Sequence, residues 1–365
     1  MSRSSVPGNR RAPIHVLVVD DSAVVRQVMQ AVLFQEKGIA VSVAADPLIA
    51  MQKMKVKRPD VILLDLEMPR MDGLTFLKKI MAEEAIPTLI CSGVAGRGTE
   101  MALRALDHGA LGIVTKPKLG VQNFLHESAL VLIDMVWSAA AARVSRRPPL
   151  PSAVRRTPST VHAHAKFYPP DSQGIIAIGA STGGTEALTE ILTALPVDAP
   201  GIVIVQHMPE HFTSAFAKRL NDLCAIEVKE GSDGDRVMPG RALIAPGNRH
   251  VSVVRRGQGY HIEVTDGPLV SRHRPSVDLL FRSVASAAGA NAIGIILTGM
   301  GNDGAAGMLK MKKAGASTIA QNEESCVVFG MPKEAILLGA VDYILPLERI
   351  APSALELMLK SALIK

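Results

Sequence analysis

Short apolar runs recur along the chain, and between them apolar residues return every three to four positions. Runs of four to six aliphatic residues bounded by polar residues or glycine predict buried strands, and the three-to-four spacing predicts amphipathic helices. In the first part, strands are predicted at 14–19 (IHVLVV), 40–44, 61–64, 88–91 and 111–114, with helices such as 22–36 and 74–84 between them. Five strands alternating with helices form the flavodoxin-like, doubly wound pattern, a five-stranded parallel sheet covered on both faces. In the second part, strands are predicted at 174–179, 201–206, 241–245, 292–297, 317–320 and 341–345, and helices at 184–194, 209–223, 276–288, 304–314 and 332–339. Two further runs, 251–255 and 260–264, flank Gly257-Gln258-Gly259 and predict an antiparallel hairpin. The second part is therefore expected to be a doubly wound, mostly parallel α/β domain with a β-hairpin insertion.

Between the two lies RVSRRPPLPSAVRRTPSTVHAHAKFYPPDS, without apolar period and rich in Pro, Arg, Ser and Thr. The expected organisation is a disordered tail over 1–13, one domain over 14–140, a linker over 141–172 and a second domain over 173–365. A length of 365 residues and a 48% hydrophobic content suit two packed domains and exclude a wholly disordered chain. The net charge of +6 sits largely in the tail and linker, with no zinc-finger spacing or aromatic-basic motif, so nucleic acid is not an expected partner. Cys91, Cys224 and Cys326 form no CxxC pair or even-numbered framework, which fits a reducing compartment. No apolar run reaches the roughly 18 residues of a membrane span, and the N-terminus lacks a signal-type apolar stretch. These features lead to the expectation of a cytoplasmic protein without membrane insertion.

In a doubly wound sheet, ligands bind beyond the carboxyl ends of the strands. In the first domain those ends carry Asp20 and Asp21, Asp65, Ser92 and Lys116. Three carboxylates held together repel one another unless a cation joins them, and Mg²⁺ is the hard, oxygen-seeking choice. Asp65 could then accept a phosphoryl group, with Lys116 and the metal offsetting charge on the transferred oxygens and Ser92 sensing the bound group. In the second domain the strand ends carry Ser181, His207 and, beyond 292–297, Asp303. A serine nucleophile needs a base, and the base needs an orienting carboxylate; these three residues can fill those roles. GASTGG lacks the lysine and spacing of a phosphate-binding loop. A rival set, His273, Ser276 and Asp278, lies close together in sequence, but Ser276 reads as a helix N-cap and Asp278 as a first-turn acid.

The motifs VVDDS, LLDLEMPRMDG and VTKP make the first domain resemble response-regulator receivers. That resemblance implies Asp65 as phosphoacceptor, a histidine kinase as phosphodonor, and a cis peptide between Lys116 and Pro117. Ile113 stands where many receivers carry an aromatic switch residue. IGASTGG, VIVQHM, HRPSVDLLF and LTGMGNDGA make the second domain resemble the catalytic domain of the CheB family of chemotaxis methylesterases and glutamine deamidases. The resemblance implies Ser181 as nucleophile, His207 as base and Asp303 as orienting acid. It places the backbone around Met300 and Gly301, together with Thr182, at the oxyanion site and cleft, and Ala245-Pro246-Gly247-Asn248 along the cleft. His211 and His250 are expected at the surface or the cleft rim. The implied substrate is a methylated glutamate, or a glutamine, on the cytoplasmic helices of a chemoreceptor, with no cofactor in the catalytic domain. The unphosphorylated receiver is expected to cover the cleft, and the chain to be a monomer. The alternative is the same chemistry in a paralogous, non-motility chemosensory pathway. A non-enzymatic docking module would not need the three intact residues, and a DNA-binding output would call for a helical reader rather than this α/β alternation.

Overall fold

The computed structural model describes residues 13–93, 97–116, 122–144 and 174–363. The first domain alternates β1 (Ile14–Val19), α1 (Ala23–Phe34), β2 (Ile39–Ala44), α2 (Pro47–Val56), β3 (Val61–Asp65), α3 (Gly73–Glu83), β4 (Thr88–Ser92), α4 (Arg97–Asp107), β5 (Gly112–Thr115) and α5 (Gln122–Ala140). Its five strands are parallel in the order β2-β1-β3-β4-β5. The central strands β3 and β4 are buried along their whole length, which is why they read as unbroken apolar runs rather than alternating ones.

The second domain continues with β6 (Ile175–Ala180), α6 (Gly184–Thr193), β7 (Gly201–Gln206), α7 (Phe212–Leu223), β8 (Glu227–Glu230), β9 (Arg236–Val237), β10 (Arg241–Ile244), β11 (His250–Arg256), β12 (Gly259–Thr265) and α8 (Val277–Ala288). It closes with β13 (Ala292–Ile296), α9 (Ala305–Lys313), β14 (Ser317–Gln321), α10 (Met331–Leu337), β15 (Tyr343–Leu345) and α11 (Leu347–Leu363). Seven strands form one parallel sheet in the order β15-β14-β13-β6-β7-β10-β8. The predicted hairpin β11–β12 is present, but it forms a separate three-stranded sheet with β9.

Three elements escape the apolar pattern. β8 (EVKE) is an edge strand with one buried residue, Val228, so it has no run to detect. β9 is only two residues long. α11 carries Pro352 inside, which breaks its helical signal. Buried Ile350, Ala351, Ala354 and Met358 hold that helix against the sheet, and their burial outweighs the lost backbone bond.

The domains pack together. Ala102, Leu103 and Ala105 of α4 belong to one apolar cluster with Phe216, Ala217 and Leu220 of α7. Arg219 of α7 donates to the Leu103 carbonyl at 3.1 Å and pairs with Asp107. Arg143 and Val144, predicted to begin the linker, are docked as well. The Arg143 amide donates to the Val327 carbonyl at 2.9 Å, and its side chain pairs with Glu323 at 2.6 Å. Residues 1–12 of the predicted tail over 1–13, and residues 145–172 of the predicted linker over 141–172, lie outside the described residues.

Candidate functional sites

In the first domain, β1 and β3 are neighbours, so Asp20 and Asp65 emerge side by side at the carboxyl edge. Asp20, Asp21 and Asp65 each bring a carboxylate oxygen within 4.8 Å of the others. Asp20 and Asp65 are buried and Asp21 is exposed. Lys116 Nζ lies 3.0 Å from Asp20 Oδ2 and 2.7 Å from Asp65 Oδ2. Burial pushes the Asp65 carboxyl above its ordinary value despite the nearby ammonium. Burial also works against the Lys116 charge, but Asp65 and Asp20 outweigh it and hold the ammonium above its usual range. Gly73 begins α3 directly beneath the site; a Cβ there would sit 2.1 Å from the Asp65 carbonyl oxygen, so only glycine allows this approach. Ser92 lies on the same edge, with its hydroxyl turned to the Gly93 and Gly98 carbonyls at 3.1 and 3.4 Å. Ile113 is buried in the core, and Pro117 lies outside the described residues.

Three carboxylates facing one ammonium leave two negative charges uncompensated, an arrangement that fits a hard dication. Adding Mg²⁺ should raise the thermal midpoint of the full chain. At a hundredfold excess over Kd the stabilisation is about 2.7 kcal/mol. Asp65→Asn should remove most of that shift in a calorimetric titration; an undiminished shift would place the ion elsewhere.

In the second domain, β6 lies between β7 and β13, so three strand ends converge. Ala180 pairs with Gln206, which sets Ser181 and His207 side by side, each one residue past its strand. The His207 amide donates to the Ala180 carbonyl at 3.0 Å, and the Ser181 amide to the Thr298 carbonyl at 3.0 Å. Gly299 then passes so close that a Cβ on it would meet Ser181 Cβ at 2.6 Å. Gly183, at φ 78°, turns the chain from Ser181 into α6, and the Gly184 amide donates to the Ser181 carbonyl at 2.7 Å.

His207 Nε2 lies 2.9 Å from Asp303 Oδ2. Since the carboxylate only accepts, this nitrogen carries the proton, and the lone pair is on Nδ1, which is buried without a partner. Asp303 is buried and held from a second side by the start of α8. It accepts from Ser276 Oγ at 2.8 Å, the Val277 amide at 2.7 Å and the Asp278 amide at 2.9 Å. Burial alone would raise its pKa, but the His207 bond and charge and the Asp278 amide outweigh burial and lower it.

The segment weighed as a rival triad is spent on supporting this pair. Ser276 caps α8 through the Leu279 amide and also binds Asp303. Asp278 accepts from the Gly307 amide at 2.6 Å. His273 stacks on His207 with ring centroids 3.7 Å apart and planes 14° from parallel. Desolvation, then the neighbouring His207, lower the His273 pKa to about 3, so it stays neutral. Gln206 was not singled out from the sequence. Its amide nitrogen donates to both the Ser181 carbonyl at 2.9 Å and the His207 carbonyl at 3.1 Å, tying the two strand ends together. The glutamine preceding His207 was the available signal.

A cavity of about 300 Å³ opens beside these residues, lined by Ser181, Thr182, His207 and His273 on one side and by β5 and α5 of the first domain on the other. Thr182 is buried and its hydroxyl accepts from Ser138 of α5 at 2.7 Å. The Gly183 amide meets the Leu111 carbonyl at 3.4 Å. Met300 packs against the apolar core of the first domain, and Gly301, at φ 86°, follows it. Of Ala245 to Asn248, only Asn248 lines the cavity. His211 is exposed at the cavity rim, whereas His250, expected at the surface or rim, is buried and donates to the Pro268 carbonyl at 2.8 Å. His250 starts β11 on the face of Ser252 and Val254, and the segment of Gly267 and Pro268 covers its ring.

The family model for the CheB methylesterase matches residues 176–354, and that for the response regulator receiver domain matches residues 16–125. The protein-glutamate methylesterase/protein-glutamine glutaminase 5 of Anaeromyxobacter dehalogenans (strain 2CP-C) is 57% identical over 357 residues, covering 96% of this chain and 98% of the relative. The corresponding protein 2 of Chromobacterium violaceum is 56% identical, covering 93% and 98%. The crystal structure of the Thermotoga maritima CheB methylesterase catalytic domain is 41% identical, with a TM-score of 0.50, and covers 51% of this chain and 99% of that domain. With that identity along nearly its whole length, the chain belongs to the receiver-bearing CheB family of protein-glutamate methylesterases/protein-glutamine glutaminases.

Proposed function

We propose that Ser181, His207 and Asp303 hydrolyse the γ-methyl ester of glutamate side chains on the cytoplasmic helices of a chemoreceptor, resetting the receptor during adaptation. The observation that carries this reading is the His207 ring: Nε2–H is bound to Asp303, and Nδ1 is left free beside the strand end that bears Ser181. Ser181 Oγ adds to the ester carbonyl carbon while its proton passes to Nδ1. That proton then leaves with the methoxy oxygen as methanol, and an acyl-serine remains. Water attacks the acyl carbon, gives its proton to Nδ1, and the glutamate carboxylate and free serine are restored. With a glutamine side chain the leaving group is ammonia. The amides at Met300 and Gly301 and the start of α6 are the donors for the developing oxyanion, and Thr182 lines the cleft.

Control follows from where the receiver sits. Its α5 hydroxyl, Ser138, binds Thr182, the residue after the nucleophile, so the docked receiver stands in the path of a substrate helix. Phosphorylation of Asp65 by a histidine kinase, with Mg²⁺ held by Asp20, Asp21 and Asp65 and with Lys116 and Ser92 reading the phosphoryl group, shifts the chain toward an open arrangement. Mg²⁺ supplies charge neutralisation during transfer. Such a shift is limited by the difference in stabilisation between the two arrangements, about 5.5 kcal/mol for 1:99 to 99:1.

The test is volatile methanol released from radiomethylated receptor membranes, with and without acetyl phosphate. The expected result is a rise with the phosphodonor and no rise in Asp65→Asn. Release that ignores the phosphodonor in the unsubstituted chain would remove receiver control.

A further inference from the structure

The turn that carries His273 also carries an arginine, Arg272, whose ion pair reaches across to the first domain. Val270 and His273 exchange both backbone hydrogen bonds, at 3.1 and 2.9 Å, and Ser271 and Arg272 between them take positive φ values of 51° and 66°. Ser271 Oγ anchors the turn on Asp278 of α8 at 3.2 Å. The tight turn projects Arg272 outward, one residue from the ring stacked on His207. Its side chain is 68% exposed, and its ion-pair partner among the described residues is Asp134 of α5, on the receiver, at 3.3 Å. Its neighbour Arg274 is used differently: it braces the cleft wall by donating to Asn248 Oδ1 at 2.9 and 2.8 Å and to the Gly267 carbonyl.

We infer that Arg272 reads a carboxylate on the substrate helix beside the target ester, and that receiver Asp134 occupies this reading position while the domains are docked. The inference rests on the hydrolase reading above and names the charge of its substrate. A substrate helix that enters where α5 lies takes its place at this turn, whose His273 and the adjoining Arg274 line the cavity. That exchange strips Arg272 of the carboxylate it pairs with among the described residues. A substrate acid restores the pair, whereas a neutral or basic segment leaves the guanidinium unmatched. Receiver and substrate therefore compete for one charge, and a receptor segment rich in acidic residues is favoured over a neutral one.

Two helical peptides test this, each with one glutamyl γ-methyl ester, flanked on both sides by Glu in one and by Gln in the other. With the full chain, Mg²⁺ and acetyl phosphate, methanol release should favour the Glu-flanked peptide by about fivefold in kcat/KM, carried by KM, as expected for an exposed ion pair. Arg272→Gln should abolish the preference in the presence of acetyl phosphate, and without phosphodonor it should raise the rate on both peptides as Asp134→Asn does, because both substitutions break one ion pair. Arg272→Glu should invert it. Asp134→Asn should keep the preference and raise the rate without phosphodonor on both peptides. Raising the salt to 0.5 M should shrink the preference in the unsubstituted chain. The inference is overturned if Arg272→Gln retains the preference, or if the unsubstituted chain has none. If the unsubstituted chain releases methanol from neither peptide, the substrate reading itself has failed and the inference falls with it.

Discussion

Ser181→Ala should reduce methanol release by roughly 10⁴- to 10⁶-fold, the range seen when a serine nucleophile is removed from a triad. The same substitution should leave stability within about 0.5 kcal/mol of the parent, because a substitution that breaks no packing or bonding feature is close to neutral. The structure supports this separation. The fold uses the Ser181 backbone, through its amide to Thr298 and its carbonyl to Gly184 and Gln206, and makes no hydrogen bond to its hydroxyl among the described residues. Rate and thermal midpoint measured on the same preparation decide the matter. Activity that survives with an unchanged midpoint would remove Ser181 from the mechanism.

Asp303→Asn should act on both quantities. Asp303 accepts from His207, Ser276 and two α8 amides, and every one of those partners is a donor. An asparagine would turn its NH₂ toward donors, costing about 2–4 kcal/mol in stability. It would also disfavour the ring tautomer with the proton on Nε2, and loss of the orienting acid lowers kcat by about 10⁴-fold in a comparable triad. The substitution should also change the acid limb of stability. The Asp303 pKa is lowered in the folded chain. Its contribution is therefore complete above the unfolded value of about 3.9 and is lost as the pH falls through the folded value. The difference in thermal midpoint between parent and variant should be widest near neutrality and should narrow as the pH drops below about 4. A difference that is constant with pH would mean that the carboxylate charge is not what holds α8 and His207 together.

Much of the architecture was legible because the central strands are buried on both faces and so appear as unbroken apolar runs. β1 and β7 lie where those runs are, whereas the β11–β12 hairpin was legible from two β-rich stretches flanking Gly257 and Gly259. The edges were not legible. β8 is polar because one side of it faces solvent, and α11 hides behind Pro352. The candidate residues could be picked out because strand carboxyl ends are where a doubly wound sheet binds ligands, and Asp20, Asp65, Ser181 and His207 stand at such ends.

Local sequence determined the residue types at those ends, the glycines that let Gly73 and Gly299 approach Asp65 and Ser181, and the Ser276 cap on α8. Tertiary structure alone decided what those residues meet. Ser276 lies 27 positions from Asp303, His273 reaches His207 by stacking rather than by hydrogen bonding, and Arg272 is 138 positions from Asp134. Periodicity records which face of an element is buried. It carries no information about which distant element covers that face, because this depends on the order of the strands in the sheet and on the docking of one domain against the other.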